Sequence, residues 1–101
     1  YGNSRRYSMN TEKIISTLEI YRDKLKGQGA ISVEYPCGKM LRSLHDALNH
    51  CLGLIDRIGV LVEAGRTEGT IFSGIHFIQV CLWISRIYTL EELNEHNRSM
   101  E

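Results

Sequence analysis

TIFSGIHFIQVCLWISRIY, residues 70–88, decides the fold of this chain. It carries no charge before Arg86, and its large apolar side chains recur at helical spacing on more than one side. At about 100° per residue, Ile71, Ile75, Ile78 and Leu82 form one stripe, Phe77, Cys81, Ile84 and Tyr88 a second, and Phe72 with Trp83 a third. A helix that is apolar nearly all round is buried on most of its sides. One antiparallel neighbour leaves at least one stripe exposed, and each large side chain buried contributes roughly 1.5–3 kcal/mol. The sequence therefore predicts self-association with this helix at the centre. A membrane span is disfavoured, because the uncharged run from Gly69 to Ile84 is short for a bilayer and contains His76 and Gln79.

Upstream, residues 38–65 read as one long helix with Leu41, Leu44, Leu48, Cys51, Leu52, Ile55, Ile58 and Val62 on a single face. Gly53 and Gly59 interrupt it at a cost in helix stability, which points to close backbone approach. A turn over 63–69, with Thr67 as the next cap, folds the following helix back as an antiparallel hairpin. A first amphipathic helix starts at Asn10 or Thr11, presents Ile14, Ile15, Leu18, Tyr21 and Leu25, and ends at Gly27-Gln28-Gly29. Between these helices AISVEYP, residues 30–36, alternates like a strand or an extended connector. No second strand is evident, so pairing across a symmetric dimer is one way to satisfy it. At the far end Thr89-Leu90-Glu91-Glu92 is a capping box opening a short last helix, with Leu90 and Leu93 as its apolar contacts. The expected fold is mainly α: a small helical bundle built on a long antiparallel helix hairpin, preceded by the short extended segment 30–36, and assembled as a homo-oligomer.

The chain has 101 residues, 43% apolar and 24% charged, which suits one globular domain, taken as residues 10–101. Residues 1–9 are set aside as a flexible arm or an upstream addition, since the stretch from Met9 reads as a natural start. Twelve basic groups balance twelve acidic ones, so no global field draws in nucleic acid, and no basic helix or aromatic platform offers it a seat. Cys37, Cys51 and Cys81 are an odd count with no C-x-x-C pair, the usage of reduced thiols in a cytoplasmic protein.

The one stretch dense in chemistry is HDALNHC, residues 45–51. His45 and His50, five apart, point about 140° from each other and cannot chelate one metal, so neither metal nor cofactor is expected. Asp46 and His50 read as a surface pair at a spacing of four. Arg42, His45, Asn49 and Asp56 line one flank of the long helix and are the leading ligand-binding candidates. His76 and Gln79 on the central helix need partners once buried, and Gln79 facing the Asn49 and His45 flank would close a small polar pocket. No phosphate loop, nucleophile elbow or zinc-hydrolase motif is present, and no catalytic residue can be assigned.

Two stretches, ALNHCLGLIDRI (47–58) and GIHFIQVCLWISRIYTLEELNEHNR (74–98), resemble a group of short bacterial and phage proteins often carried on mobile elements. Members of that group show an "HCLW" segment, then "GFIQGxLW", then "YTxEELKxHNR". This chain matches through His50, Cys51, Leu52, Phe77, Ile78, Gln79, Leu82, Trp83, Tyr88, Thr89, Glu91, Glu92, Leu93, His96, Asn97 and Arg98, and departs at Gly53, His76 and Val80. The resemblance spans about half the chain and rests on packing patterns. It implies a phage or gene-cassette accessory protein and carries over no catalytic residue. The expected function is that of a non-enzymatic homo-oligomer binding a protein partner or small ligand. The alternative is a small-ligand enzyme with an interhelical pocket around His45, Asn49 and Gln79.

Overall fold

The computed structural model describes residues 11–66 and 69–101. The expectations for residues 1–9, for Asn10 as a cap and for Thr67 lie outside that range. Four helices follow in order: α1 (Thr11–Gly27), α2 (Leu44–Glu63), α3 (Gly69–Ile84) and α4 (Leu90–Met100).

Three of the helices are amphipathic in the way their apolar spacing dictates, while α3 is apolar nearly all round and buries only one of its stripes. Ile14, Leu18, Tyr21 and Leu25 of α1 are buried against Leu48, Cys51, Leu52, Ile55, Ile58 and Val62 of α2. Ile71, Ile75, Ile78 and Leu82 of α3 complete the same core from the other side, and Leu93 and Met100 of α4 close it beside α1. Helices α2 and α3 pack against each other along their length. His50 lies by Phe77, Cys51 by Cys81, and Ile58 by Gly74, where an added Cβ would come within 2.7 Å of the Ile58 Cδ1. The Cα envelope measures 45 × 30 × 19 Å. Phe77, Val80, Trp83 and Ile84 stay exposed, so the bundle leaves one side of α3 uncovered.

Three helices end in the same way. After α1, α2 and α3 the chain passes through a left-handed residue, Gly29 (φ 84°), Gly65 (φ 81°) and Arg86 (φ 63°). In each case paired N–H groups reach back to the last turn: Ala30 to Leu25 O and Gly29 to Lys26 O, Arg66 to Leu61 O and Gly65 to Val62 O, Ile87 to Leu82 O and Arg86 to Trp83 O. These are Schellman closures, which satisfy carbonyls that the helix end leaves free. The last helix opens on the expected capping box. The Thr89 side chain accepts from Glu92 N, and the Glu92 carboxylate accepts from Thr89 N at 2.9 Å, which holds that carboxyl below its ordinary range.

Two boundaries differ from the sequence reading. Helix α2 starts at Leu44 instead of Gly38, because Ser43 caps it by accepting from Asp46 N while Pro36–Lys39 forms a turn closed by Lys39 N on Pro36 O. Leu41 and Leu44 are consequently exposed and lie outside the core. Helix α3 stops at Ile84, four residues early, because Arg86 adopts the left-handed conformation. Among the described residues there is no strand, and segment 30–36 is extended without a strand partner. No helix of the described residues is long and apolar enough to cross a membrane.

Candidate functional site

Segment 30–36 is a strap laid over α2, and the polar residues of HDALNHC fasten it. The N–H groups that an unpaired strand would leave open, on Ile31, Val33 and Tyr35, all turn to the helix. Ile31 N donates to Asn49 Oδ1 at 2.9 Å, Val33 N to the Asn49 carbonyl at 3.3 Å, and Tyr35 N to His50 Nδ1 at 3.3 Å. The side chains add two more ties, Tyr35 OH to Asp46 Oδ1 and Ser32 Oγ to Asp56 Oδ2. A helix thus supplies the acceptors that a neighbouring strand would normally offer, and these part-buried amides are satisfied.

Gly53 makes this approach possible. A Cβ there would collide with the Val33 carbonyl, its carbon lying within 2.8 Å, and would crowd the Glu34 side chain. Gly59, six residues on, has nothing within 4 Å of an added Cβ. Only the first of the two helix-interior glycines serves a close approach.

Where the strap leaves α2, an open cleft of 580 Å³ forms between it, α2 and α3. Tyr35, Leu54 and Phe77 supply apolar and aromatic walls, and Lys39, His50 and Arg57 supply polar ones. The His50 ring stands edge-on to Phe77 (5.8 Å, 82°) and 6.0 Å from the Tyr35 ring. Arg57 pairs with Glu34 of the strap. Because Nδ1 of His50 accepts a backbone N–H, its proton sits on Nε2 in the neutral ring.

A second polar cluster lies inside the bundle. Gln79 Nε2 donates to Tyr21 OH at 3.1 Å and to Asn97 Oδ1 at 2.9 Å, and Tyr21 OH lies 2.8 Å from His96 Nδ1. With its oxygen accepting from Gln79, the Tyr21 hydroxyl hydrogen is free to go to His96. Burial raises the Tyr21 phenol from 10.0 to about 12, partly opposed by the Gln79 bond. His96 and Tyr88 stack edge-on at 4.8 Å, so α1, α3 and α4 meet at one hydrogen-bonded, aromatic node.

The six residues singled out from the sequence do not converge. Arg42 lies before α2 and is exposed, its backbone N donating to Asp46 Oδ2, and His45 is exposed on the first turn. Asn49 is buried as the strap's main acceptor. Asp56 pairs with Arg22 of α1 as well as with Ser32. His76 is exposed on the outer face of α3. Gln79 points to Tyr21 and Asn97, away from Asn49 and His45, so the expected pocket between those groups does not form. The expected Asp46–His50 surface pair is also corrected: both are half-buried beneath Tyr35. Helical angles measured from the apolar stripe could not register a strap that covers the polar side.

Sequence reasoning passed over Tyr35, Lys39 and Tyr21 as binding or networking groups. Tyr35 had a usable signal, its odd-numbered place in the alternating strap; Tyr21 was absorbed into the apolar stripe of α1. Cys51 and Cys81 are buried side by side between α2 and α3, and the neighbouring Cys81 thiol together with burial pushes the Cys51 thiol up and away from nucleophilic chemistry. Cys37 is exposed in the turn after the strap. Among the described residues no group of three or more His, Cys, Asp or Glu is placed to hold a metal. No family model matches the chain, and no curated protein or solved structure is significantly similar to it.

Proposed function

We propose that this chain is a non-enzymatic accessory protein of a mobile genetic element that works as a homo-oligomer, at least a dimer, docked through the outer face of α3. One observation carries the reading. Phe77 (40% exposed), Val80 (48%), Trp83 (48%) and Ile84 (62%) lie with His76 on that face, and α3 contains no Asp, Glu, Lys or Arg. Leu90, at the start of α4, is exposed beside it and shares a groove of 220 Å³ with Val80, Trp83 and Leu93.

A second copy is the occupant that an uncharged face suits best, because an isologous contact needs a patch that tolerates itself. About half of each of five large apolar residues is open to solvent, and at ~150–250 Å² for an aromatic side chain Phe77 and Trp83 alone expose on the order of 130–220 Å². The aliphatic neighbours Val80, Ile84 and Leu90 extend this toward the few hundred Å² of exposed apolar surface that marks an interaction site. Trp83 is of the residue type that most often dominates such contacts. The accessory role is supported by the resemblance of residues 47–58 and 74–98 to short phage and mobile-element proteins. The non-enzymatic reading is supported by the employment of Asp46, Asn49 and His50 in holding the strap.

Sedimentation equilibrium at micromolar concentration tests it. The protein is expected to sediment as a dimer or larger, and Trp83→Lys to sediment as a monomer with unchanged helical circular dichroism. A wild-type monomer across the range, or a Trp83→Lys variant that associates like the wild type, overturns the proposal.

A further inference from the structure

We propose that the cleft between the strap, α2 and α3 is a binding site for a small aromatic carboxylate. Its volume of 580 Å³ falls within the roughly 300–1,000 Å³ of small-molecule sites. What it offers is specific in three respects.

The first is charge. Lys39 and Arg57 line the cleft against a single carboxylate, Glu34, so its walls carry one net positive charge and favour an anion. Glu34 occupies the Arg57 Nη2 position, yet a guanidinium has five N–H donors in a planar fork and can hold a second carboxylate beside the first.

The second is the state of His50. The Tyr35 amide takes Nδ1 as its acceptor, which fixes the neutral tautomer with its hydrogen on Nε2. With Nδ1 taken, Nε2–H is the donor that this cleft-lining ring has left for an anion.

The third is shape and surface. The His50 ring stands 6.0 Å from Tyr35 in a tilted arrangement and 5.8 Å from Phe77 edge-on, and Leu54 lines the cleft with them. Ring edges and faces presented together suit a flat apolar body by offset and edge-to-face contact. The ligand class that uses all three features is a ring bearing a carboxylate on a short arm.

This site is separate from the α3 face proposed for association, although Phe77 borders both, so either proposal can fail without the other. Titration of the full chain with phenylacetate, followed by ¹H–¹⁵N nuclear magnetic resonance, tests it, with phenylethylamine as the matched cation. Phenylacetate is expected to shift the Tyr35 amide and the His50 ring saturably while leaving the Trp83 indole in place, and phenylethylamine to shift neither. Arg57→Gln removes an exposed side chain whose ion pair adds little stability, so the variant should stay folded and bind about tenfold more weakly. Absence of a saturable shift overturns the proposal, as do equal shifts from the amine, shifts centred on Trp83, or unchanged binding in Arg57→Gln.

Discussion

The backbone N–H of Tyr35 donates to Nδ1 of His50 across 3.3 Å, so one imidazole links an extended segment to a helix. The same ring meets Phe77 edge-on, which ties strap, α2 and α3 together at a single side chain. Polar residues that look like chemistry in the sequence are here the acceptors for a peptide that has no sister strand.

Asn49 carries the largest share of that duty. Asn49→Ala leaves the part-buried Ile31 N–H without its acceptor and is expected to lower stability by about 1–3 kcal/mol in urea unfolding. Hydrogen exchange should accelerate at the Ile31 amide, while amides inside α4 keep their protection. An unchanged Ile31 exchange rate would show that the strap does not depend on this bond.

The two glycines inside α2 should respond to alanine with opposite signs. Gly53→Ala drives a methyl into the Val33 carbonyl and is expected to cost about 1–3 kcal/mol, outweighing any gain in helix propensity. Gly59→Ala meets open space and is expected to stabilise by roughly 0.5–1 kcal/mol. Thermal unfolding of the two variants beside the wild type decides it.

Tyr21 gives the fold an alkaline limit. Below pH 10 the phenol is protonated in both folded and unfolded chains. Between pH 10 and about 12 the unfolded chain releases the proton while the folded chain retains it, so rising pH favours unfolding. The stability lost across that window is about 3 kcal/mol at ~1.4 kcal/mol per pH unit. Tyr21→Phe is expected to remove this part of the slope in denaturant midpoints measured from pH 9 upward.

Arg86 closes α3 in a conformation that glycine holds without strain. Arg86→Gly is expected to stabilise the protein by up to about 1 kcal/mol, because a side chain at positive φ costs roughly 1–2 kcal/mol and the extra freedom of unfolded glycine cancels part of that. The same change at Ser85, the residue just before, should bring no such gain, since Ser85 Oγ bonds the Cys81 carbonyl at 2.6 Å. Paired chemical denaturation curves distinguish the two.

Helix existence and the inward faces were legible in the sequence because they follow from local periodicity. Ile71, Ile75, Ile78 and Leu82 fall on one stripe by spacing alone, and that stripe is the buried side of α3. The capping box at Thr89 and Glu92 was equally plain, since both partners lie within one turn. Exposure of Trp83 and Ile84 also follows from an apolar circumference that the bundle leaves uncovered on one side.

What the sequence could not decide were the meetings between residues distant along the chain. Whether Gln79 turns to Asn49 or to Tyr21 and Asn97 depends on how α3 is rotated between α2 and α4, and helical angles fix positions on one cylinder without fixing its neighbours. Whether the N–H groups of Ile31, Val33 and Tyr35 find a strand or a helix depends on where the chain lays them. Periodicity is a property of each segment and is written locally; hydrogen-bond partnership belongs to the packed whole. For that reason HDALNHC showed its residue types in the sequence, and only the tertiary structure made it the fastening of a strap and one wall of a cleft.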